Sequence, residues 1–168
     1  MNSKKIFIYH LVMLFIPATK LFKFKAFLLR WCGAKVGLNV RIVSSAKFYV
    51  SGELSIGDNT WIGHEVMIVG GQAPVIIGKD CDIAPRVMLV TGSHKINDLT
   101  SCKIAGVGYS LPIEIGNGCW LCANTTLLAG VTLGNKCLVG AHTLVNKSFS
   151  DNSIVLGNPG VLKKIEKK

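Results

Sequence analysis

The sequence predicts an all-β fold in which short strands are wound into stacked coils. The main observation is a strict interval of six between aliphatic residues, which are Ile115, Leu121, Leu127, Leu133, Val139 and Val145. This period matches neither the 3.6-residue repeat of an α-helix nor the two-residue repeat of a single strand. Each six-residue segment is therefore expected to form one flat side of a coil and turn a corner, so that stacked coils bury one apolar column.

A second observation concerns the positions around each aliphatic residue. Glycine often follows it, as in Gly116, Gly134 and Gly140, and a small or β-branched residue stands at the fifth position. Both features suit a narrow prism whose corners need positive φ angles. The same pattern occurs in two earlier runs, which begin at Ile56 and Ile77. Three runs in phase disfavour the alternative, which is chance spacing in a Val/Ile-rich sandwich.

The coils are expected to fill residues 36–160, with two interruptions. Three extra residues fall near Gly70-Gly71-Gln72, and a longer loop excursion covers residues 95–112. Residues 161–168 contain four lysines and are expected to form a short basic tail or helix.

Residues 1–35 are expected to form a basic amphipathic helical segment. The chain has a formal net charge of +10, and residues 1–41 contribute +8 without one acidic residue. Residues 20–31 place four apolar side chains near helical spacing with lysines between them: Leu21, Phe24, Leu28 and Trp31. Such a segment either caps the open end of the coil or contacts an anionic membrane surface, and both can hold.

Other roles for the basic segment are less favoured. The apolar run over residues 6–16 is too short to span a bilayer, and a cleaved signal peptide is a weaker alternative. Nucleic-acid binding is not expected, because basic and aromatic residues do not interleave across the repeats.

The six cysteines do not form a disulfide framework in this interpretation. Cys81, Cys119 and Cys137 stand at the small fifth position, where they are expected to be buried apolar residues. Unpaired thiols suit a reducing compartment. The spacing of Cys119 and Cys122 is interpreted as two residues on one side of a coil, not as a redox or metal pair.

Several motifs resemble the hexapeptide-repeat acyltransferases. Residues 109–120 resemble the segment after the active-site loop in galactoside and maltose O-acetyltransferases, and residues 91–94 resemble colanic-acid and capsule O-acetyltransferases. Residues 157–160 (Gly-Asn-Pro-Gly) resemble the closing motif of the family, with glycine in place of its alanine. The resemblance implies a left-handed parallel β-helix over residues 36–160.

The resemblance also implies a catalytic histidine, His94. It stands where the repeat stops and the excursion begins, and imidazole titrates near neutral pH as a general base must. By resemblance, Asp98 and Tyr109 in the excursion are candidates for acceptor binding. A related branch, the γ-class carbonic anhydrases, holds zinc with two histidines five residues apart. Position 99 is leucine here, so no metal is expected.

A site for acetyl-CoA follows from the same resemblance. The positions that match family residues near the pantetheine arm and the nucleotide are Trp120, Ala123, Ala141, Asn146 and Lys147. Asn146 departs from the family, which has threonine there. Lys163 and Lys164 either meet the CoA phosphates or are solvated.

The expected function is acetyl-CoA-dependent O-acetylation of a sugar hydroxyl in bacterial surface polysaccharide biosynthesis, by direct transfer without an acyl-enzyme. The family implies a homotrimer in the cytoplasm, with peripheral contact at the inner membrane face and a sugar or lipid-linked glycan as acceptor. The alternatives are a small-molecule acceptor, such as an antibiotic or free sugar, or a non-catalytic scaffold. The sequence leaves open the acceptor, the acyl chain length and the group that orients His94.

Overall fold

The computed structural model describes residues 1–163, which form two helices followed by short strands. Helix α1 covers Ser3–Met13 and helix α2 covers Phe22–Trp31. The strands of the coils and their excursion are, in chain order, β1 Lys35–Val36, β2 Arg41–Ile42, β3 Lys47–Tyr49, β4 Leu54–Ile56, β5 Trp61–Ile62, β6 Met67–Val69, β7 Val75–Ile77, β8 Asp82–Ile83, β9 Met88–Val90, β10 Gly92–Ile96, β11 Ala105–Ser110, β12 Ile113–Ile115, β13 Trp120–Leu121, β14 Thr126–Leu127, β15 Thr132–Leu133, β16 Leu138–Val139, β17 Leu144–Val145, β18 Ile154–Leu156 and β19 Val161–Leu162.

The coil strands form three sheets, one along each face of a prism. The first face contains β1, β4, β7, β12 and β15, and the third contains β3, β6, β9, β14 and β17. The second face contains β2, β5, β8, β13, β16 and β18, all parallel, with β19 added antiparallel at the end. The first part of the basic tail is therefore a strand, and residues 164–168 lie outside the described part of the chain. The predicted coil fold and helical segment are confirmed.

The aliphatic residue of each repeat points into the prism. Along the second face, Ile62, Ile83, Leu121 and Val139 stack in register from coil to coil. All four are fully buried and belong to one continuous core. Burying each such side chain contributes roughly 1.5–3 kcal/mol, so the column is the main stabilising element of the coils.

At the corners, side-chain oxygens accept hydrogen bonds from backbone N–H groups that have no strand partner. Asp58, Asn117, Asn135 and Asp151 each accept a bond from a backbone N–H of the neighbouring coil, with donor–acceptor distances of 2.6–3.0 Å. Short side chains with an oxygen at this position suit a tight turn. Hydrogen bonds therefore join successive coils at the corners as well as along the strands.

The fifth-position residues line the interior, and the cysteines among them donate hydrogen bonds to carbonyl oxygens of the next coil. Cys81 and Cys119 donate their thiols to Gly116 and Gly134, and both distances are 3.1 Å. Cys137 does the same with Ser150 at 3.2 Å. All three cysteines are buried and free, as the sequence predicts. Cysteine suits this position because its short side chain fills the narrow interior and its thiol is a weak donor.

The two helices pack on the first coils, and each helix uses only one of its sides for this contact. Ile6, Tyr9, Met13 and Leu29 are buried in the same core as the coils. The buried residues of α2 are Lys25, Ala26 and Leu29, whereas Phe24 of the predicted stripe is 45% exposed. None of the helices described between residues 1 and 163 has the length and apolar character to cross a bilayer.

His10 on α1 joins this cap to the coils. Its Nε2 accepts a hydrogen bond from the backbone N–H of Phe48 at 3.1 Å, so the ring is neutral at that nitrogen. Burial, assisted by the nearby charge of Lys47, lowers the pKa of His10 to about 4.

We predict that His10 makes stability depend on pH in the acidic range. The unfolded chain takes up this proton near its ordinary value of about 6.5, whereas the folded protein resists it until about pH 4. The folded state is therefore favoured above pH 6.5 and loses this contribution as the pH falls toward 4. Thermal melting of wild type and His10→Gln across that range checks this, because glutamine can keep the bond to Phe48 without titrating. Parallel curves for the two proteins would contradict it.

Candidate active site

The two interruptions of the repeat meet at one corner and enclose a cleft of about 630 Å³. One wall is the insertion at residues 70–73, which follows the third face. The other wall comes from the excursion, which also leaves the prism after the third face. Because both breaks occur at the same corner on adjacent coils, the irregular segments lie side by side.

The excursion is an antiparallel hairpin, where the sequence predicted an irregular loop. Strands β10 and β11 pair with Ser93 opposite Tyr109 and His94 opposite Gly108. The hairpin starts at Gly92, earlier than the expected boundary at residue 95. His94 therefore lies on a strand whose backbone is held by ladder bonds.

Gly70 allows the two walls to approach. Gly70 has a φ of 149°, and a Cβ there would collide with the side chain of Thr91. The insertion is also tied to the hairpin by a bond from the backbone N–H of Ala73 to Ser110 Oγ at 3.2 Å. These contacts fix the base of the cleft.

The ring of His94 is exposed and oriented by a backbone carbonyl. Its Nδ1 lies 2.9 Å from the oxygen of Gly106. A carbonyl only accepts, so the neutral ring carries its proton on Nδ1 and leaves the lone pair of Nε2 free. The arrangement can take a proton from a group in the cleft.

The two predicted acceptor-binding residues are placed differently. Tyr109 lines the cleft together with His94 and is 41% exposed. Asp98 lies between the hairpin strands, and its carboxylate accepts bonds from the backbone N–H and the hydroxyl of Thr100, both at 2.9 Å. These bonds hold the pKa of Asp98 below its ordinary value. The structure thus joins Tyr109 to His94 and leaves Asp98 in a local turn.

Three of the predicted CoA-binding positions lie on the second face and the corner after it. Trp120 points outward from β13 and is 50% exposed. Ala123 and Ala141 occupy the same corner of successive coils, where the N–H of His142 donates to the carbonyl of Ala123 at 3.0 Å. Small side chains here leave a flat surface along the axis.

The other two positions lie across the third face. Asn146 and Lys147 are exposed and follow β17, at the corner from which the hairpin of His94 also leaves. The ammonium of Lys147 is 5.7 Å from the ring centre of Phe149. Lys163 is exposed beside β18, and Lys164 lies outside the described residues. Within one chain the predicted site residues therefore lie in two groups, one at each edge of the third face.

Two parts of the site were not assigned from the sequence. The carbonyl of Gly106 orients His94, and a backbone group leaves no mark in a residue pattern. The wall at residues 70–73 did leave a signal, since its three extra residues break the period of six. Among residues 1–163, no group of three or more His, Cys, Asp or Glu side chains is arranged to hold a metal ion.

A stacked coil with a histidine-bearing cleft at one corner defines a class, the hexapeptide-repeat transferases. Residues 112–147 match the bacterial transferase hexapeptide family (six repeats), and residues 53–84 match the hexapeptide repeat of succinyl-transferase.

Two curated relatives narrow the class. The chain is 37% identical to a putative colanic acid biosynthesis acetyltransferase of Escherichia coli, over 84% of this chain and 75% of that protein. It is 31% identical to the galactoside O-acetyltransferase of Escherichia coli, over 75% of this chain and 61% of that protein.

Two solved structures share the fold. A hexapeptide-repeat acetyltransferase of Vibrio cholerae in complex with acetyl coenzyme A has a TM-score of 0.79 and 23% identity, covering 98% of this chain and 87% of that one. A galactoside acetyltransferase in complex with coenzyme A has a TM-score of 0.76 and 25% identity, covering 96% and 80%. The chain belongs to the hexapeptide-repeat acetyltransferases, and the predicted family, enzyme class and left-handed β-helix are confirmed.

We predict that neutral His94 carries its proton on Nδ1. Nitrogen-15 NMR of histidine-labelled protein above neutral pH should show a protonated Nδ1 and a bare Nε2, with His94→Asn used to assign the signal. The opposite tautomer would contradict the bond to Gly106.

Proposed function

We propose that the protein transfers an acetyl group from acetyl-CoA to a sugar hydroxyl. The observation that carries the proposal is the free Nε2 of His94 in an open cleft of a chain that belongs to an acetyltransferase family. The relatives' names support a sugar acceptor, since one is a putative colanic acid biosynthesis enzyme and another a galactoside O-acetyltransferase. The colanic acid relative favours surface polysaccharide biosynthesis as the setting.

In the proposed mechanism His94 is the general base. Its Nε2 takes the proton of the acceptor hydroxyl as that oxygen attacks the thioester carbonyl, so a C–O bond forms while the C–S bond breaks. The carbonyl of Gly106 stabilises the imidazolium through Nδ1–H. The proton then passes from Nε2 to the departing CoA thiolate, which restores the neutral ring. No side chain of the protein becomes acetylated.

The divided site supports a homotrimer as the active form. The outward residues along the third face beyond its first strand are uncharged, and they are Met67, Val69, Met88, Val90, Thr126 and Leu144. If three copies turn this face toward a common axis, the far edge of one chain meets the near edge of the next. His94 and Lys147 of one chain would then face Trp120, Ala123 and Ala141 of its neighbour, and acetyl-CoA would lie between them.

The proposed location is the cytoplasm, at the inner face of the membrane. Six free cysteines suit a reducing compartment. A free sugar or other small acceptor remains a second candidate, supported by the galactoside O-acetyltransferase relative.

We predict that His94→Ala lowers turnover by roughly 10²- to 10⁴-fold, the usual contribution of a general base. The measurement is thiol release from acetyl-CoA with a panel of sugars, lipid-linked glycans and antibiotics. Thermal shift with CoA should be nearly unchanged in the variant, because His94 acts on the acceptor hydroxyl.

His94→Asn is the matched variant, because its amide can still donate to Gly106 but cannot act as a base. It should melt like wild type and be as slow as His94→Ala. Wild-type turnover in either variant would refute the assignment. If wild type neither binds CoA nor consumes acetyl-CoA, the scaffold interpretation replaces the enzyme.

A further inference from the structure

The N-terminal helices expose an apolar surface that packing on the coils does not use. Its residues, here called the N-terminal apolar surface, are Phe7, Ile8, Leu11, Leu14, Phe15, Leu21, Phe24, Phe27 and Trp31. Phe15 is 83% exposed, and Phe7 and Leu14 are each 70% exposed. Contiguous exposed apolar surface of this kind marks a contact with another body.

Capping the coil does not account for these residues. Ile6, Tyr9 and Met13 form the buried side of α1, and Ala26 and Leu29 form that of α2. The exposed residues lie on the remaining sides of both helices, so they are available to a partner in addition to the cap.

The charge around this surface identifies the partner. Residues 1–41 carry eight basic and no acidic side chains. Lys4, Lys20 and Lys23 are exposed among the apolar residues, and the ammonium of Lys5 lies 4.8 Å from the ring centre of Trp31. Aromatic side chains combined with lysines are typical of helices that lie in the interface of an anionic bilayer.

The surface is held rigidly on the body of the protein. Lys25 is fully buried, and its ammonium donates to the carbonyls of Pro17 and Ala18 at 3.2 and 2.6 Å. The hydroxyl of Ser44 donates to the same carbonyl of Pro17 at 3.3 Å. The turn between the helices is thus fixed, and Phe15 and Lys20 beside it are already in place before binding.

The surface also lies beside a groove that adjoins the cleft of His94. A groove of about 410 Å³ lies between α1 and β3, and Phe7 and Gly70 are among its lining residues. Gly70 also lines the cleft. A bilayer against α1 would therefore lie next to the opening through which an acceptor reaches His94.

We infer that the N-terminal apolar surface docks the protein peripherally on an anionic lipid bilayer. The exposed phenylalanines enter the headgroup region, and the lysines contact anionic headgroups. This docking does not depend on the proposed reaction, although it would present the cleft to acceptors held at a membrane.

The test is co-sedimentation of the full-length protein with vesicles of phosphatidylethanolamine and phosphatidylglycerol, and with vesicles of phosphatidylcholine alone. The double variant Phe15→Asp/Phe27→Asp should bind the anionic vesicles roughly 100-fold more weakly, because two aromatic side chains no longer leave water. Lys20→Glu/Lys23→Glu should lose roughly 10-fold or more on anionic vesicles only. Raising the salt from about 0.1 to about 0.5 M should weaken binding of wild type.

Val161→Asp is the matched control, because Val161 is 55% exposed at the opposite end of the coil. It should bind vesicles as wild type does. Failure of wild type to bind anionic vesicles, or equal binding by Phe15→Asp/Phe27→Asp, would overturn the inference. So would large assemblies of wild type that ignore vesicles and are dispersed by that double variant, since the surface would then join copies of this chain. Acetyl-CoA consumption is measured in a separate assay, so failure of the docking inference and failure of the proposed reaction can be told apart.

Discussion

The width of the prism interior is the constraint on which the rest of the structure depends. Each side contributes one aliphatic side chain and one small or β-branched residue, as Leu121 and Cys119 do, and both are buried between the three sheets. The strands therefore stack in strict register at about 4.8 Å per coil. Outward-facing positions have the same spacing, and Ala123 and Ala141 therefore align along one corner. The flat surface proposed for CoA is a consequence of the packing inside.

The candidate active site lies where this regularity is interrupted. A regular coil presents only flat sides and tight corners, neither of which encloses a substrate. The insertion at residues 70–73 and the hairpin from Gly92 to Ser110 leave the same corner on neighbouring coils, so they form a cleft while the coils beneath stay rigid. His94 is consequently held by a ladder strand and by the carbonyl of Gly106. Precise orientation of a base is the expected benefit.

The sequence predicted the coils well because every sixth residue points into the core and must be apolar, so the period of six is visible in the sequence. It also indicated His94 as the candidate base, since the position where the period of six stops is visible in the sequence. It did not predict the hairpin, because β10 and β11 are mostly exposed and no core contact fixes their pattern of residues. Nor could it find the partner of His94, which is a backbone oxygen. Asp98 satisfies its carboxylate locally with Thr100, a contact that competes with any role at the cleft. The sequence could not decide which side of α2 faces the coils, because its lysines and phenylalanines are interspersed.

The central claim is that the active site is assembled from two edges of the third face, contributed by neighbouring chains. Complementation between two inactive variants tests it most directly. His94→Ala removes the base, and Ala141→Trp blocks the flat corner on the other edge. In a ring of three, every trimer that contains both variants has one junction at which an intact His94 faces an intact Ala141. Co-expressed variants should therefore regain about a quarter of wild-type turnover if chains mix at random. Turnover that stays at the level of the separate variants would show that the site lies within one chain.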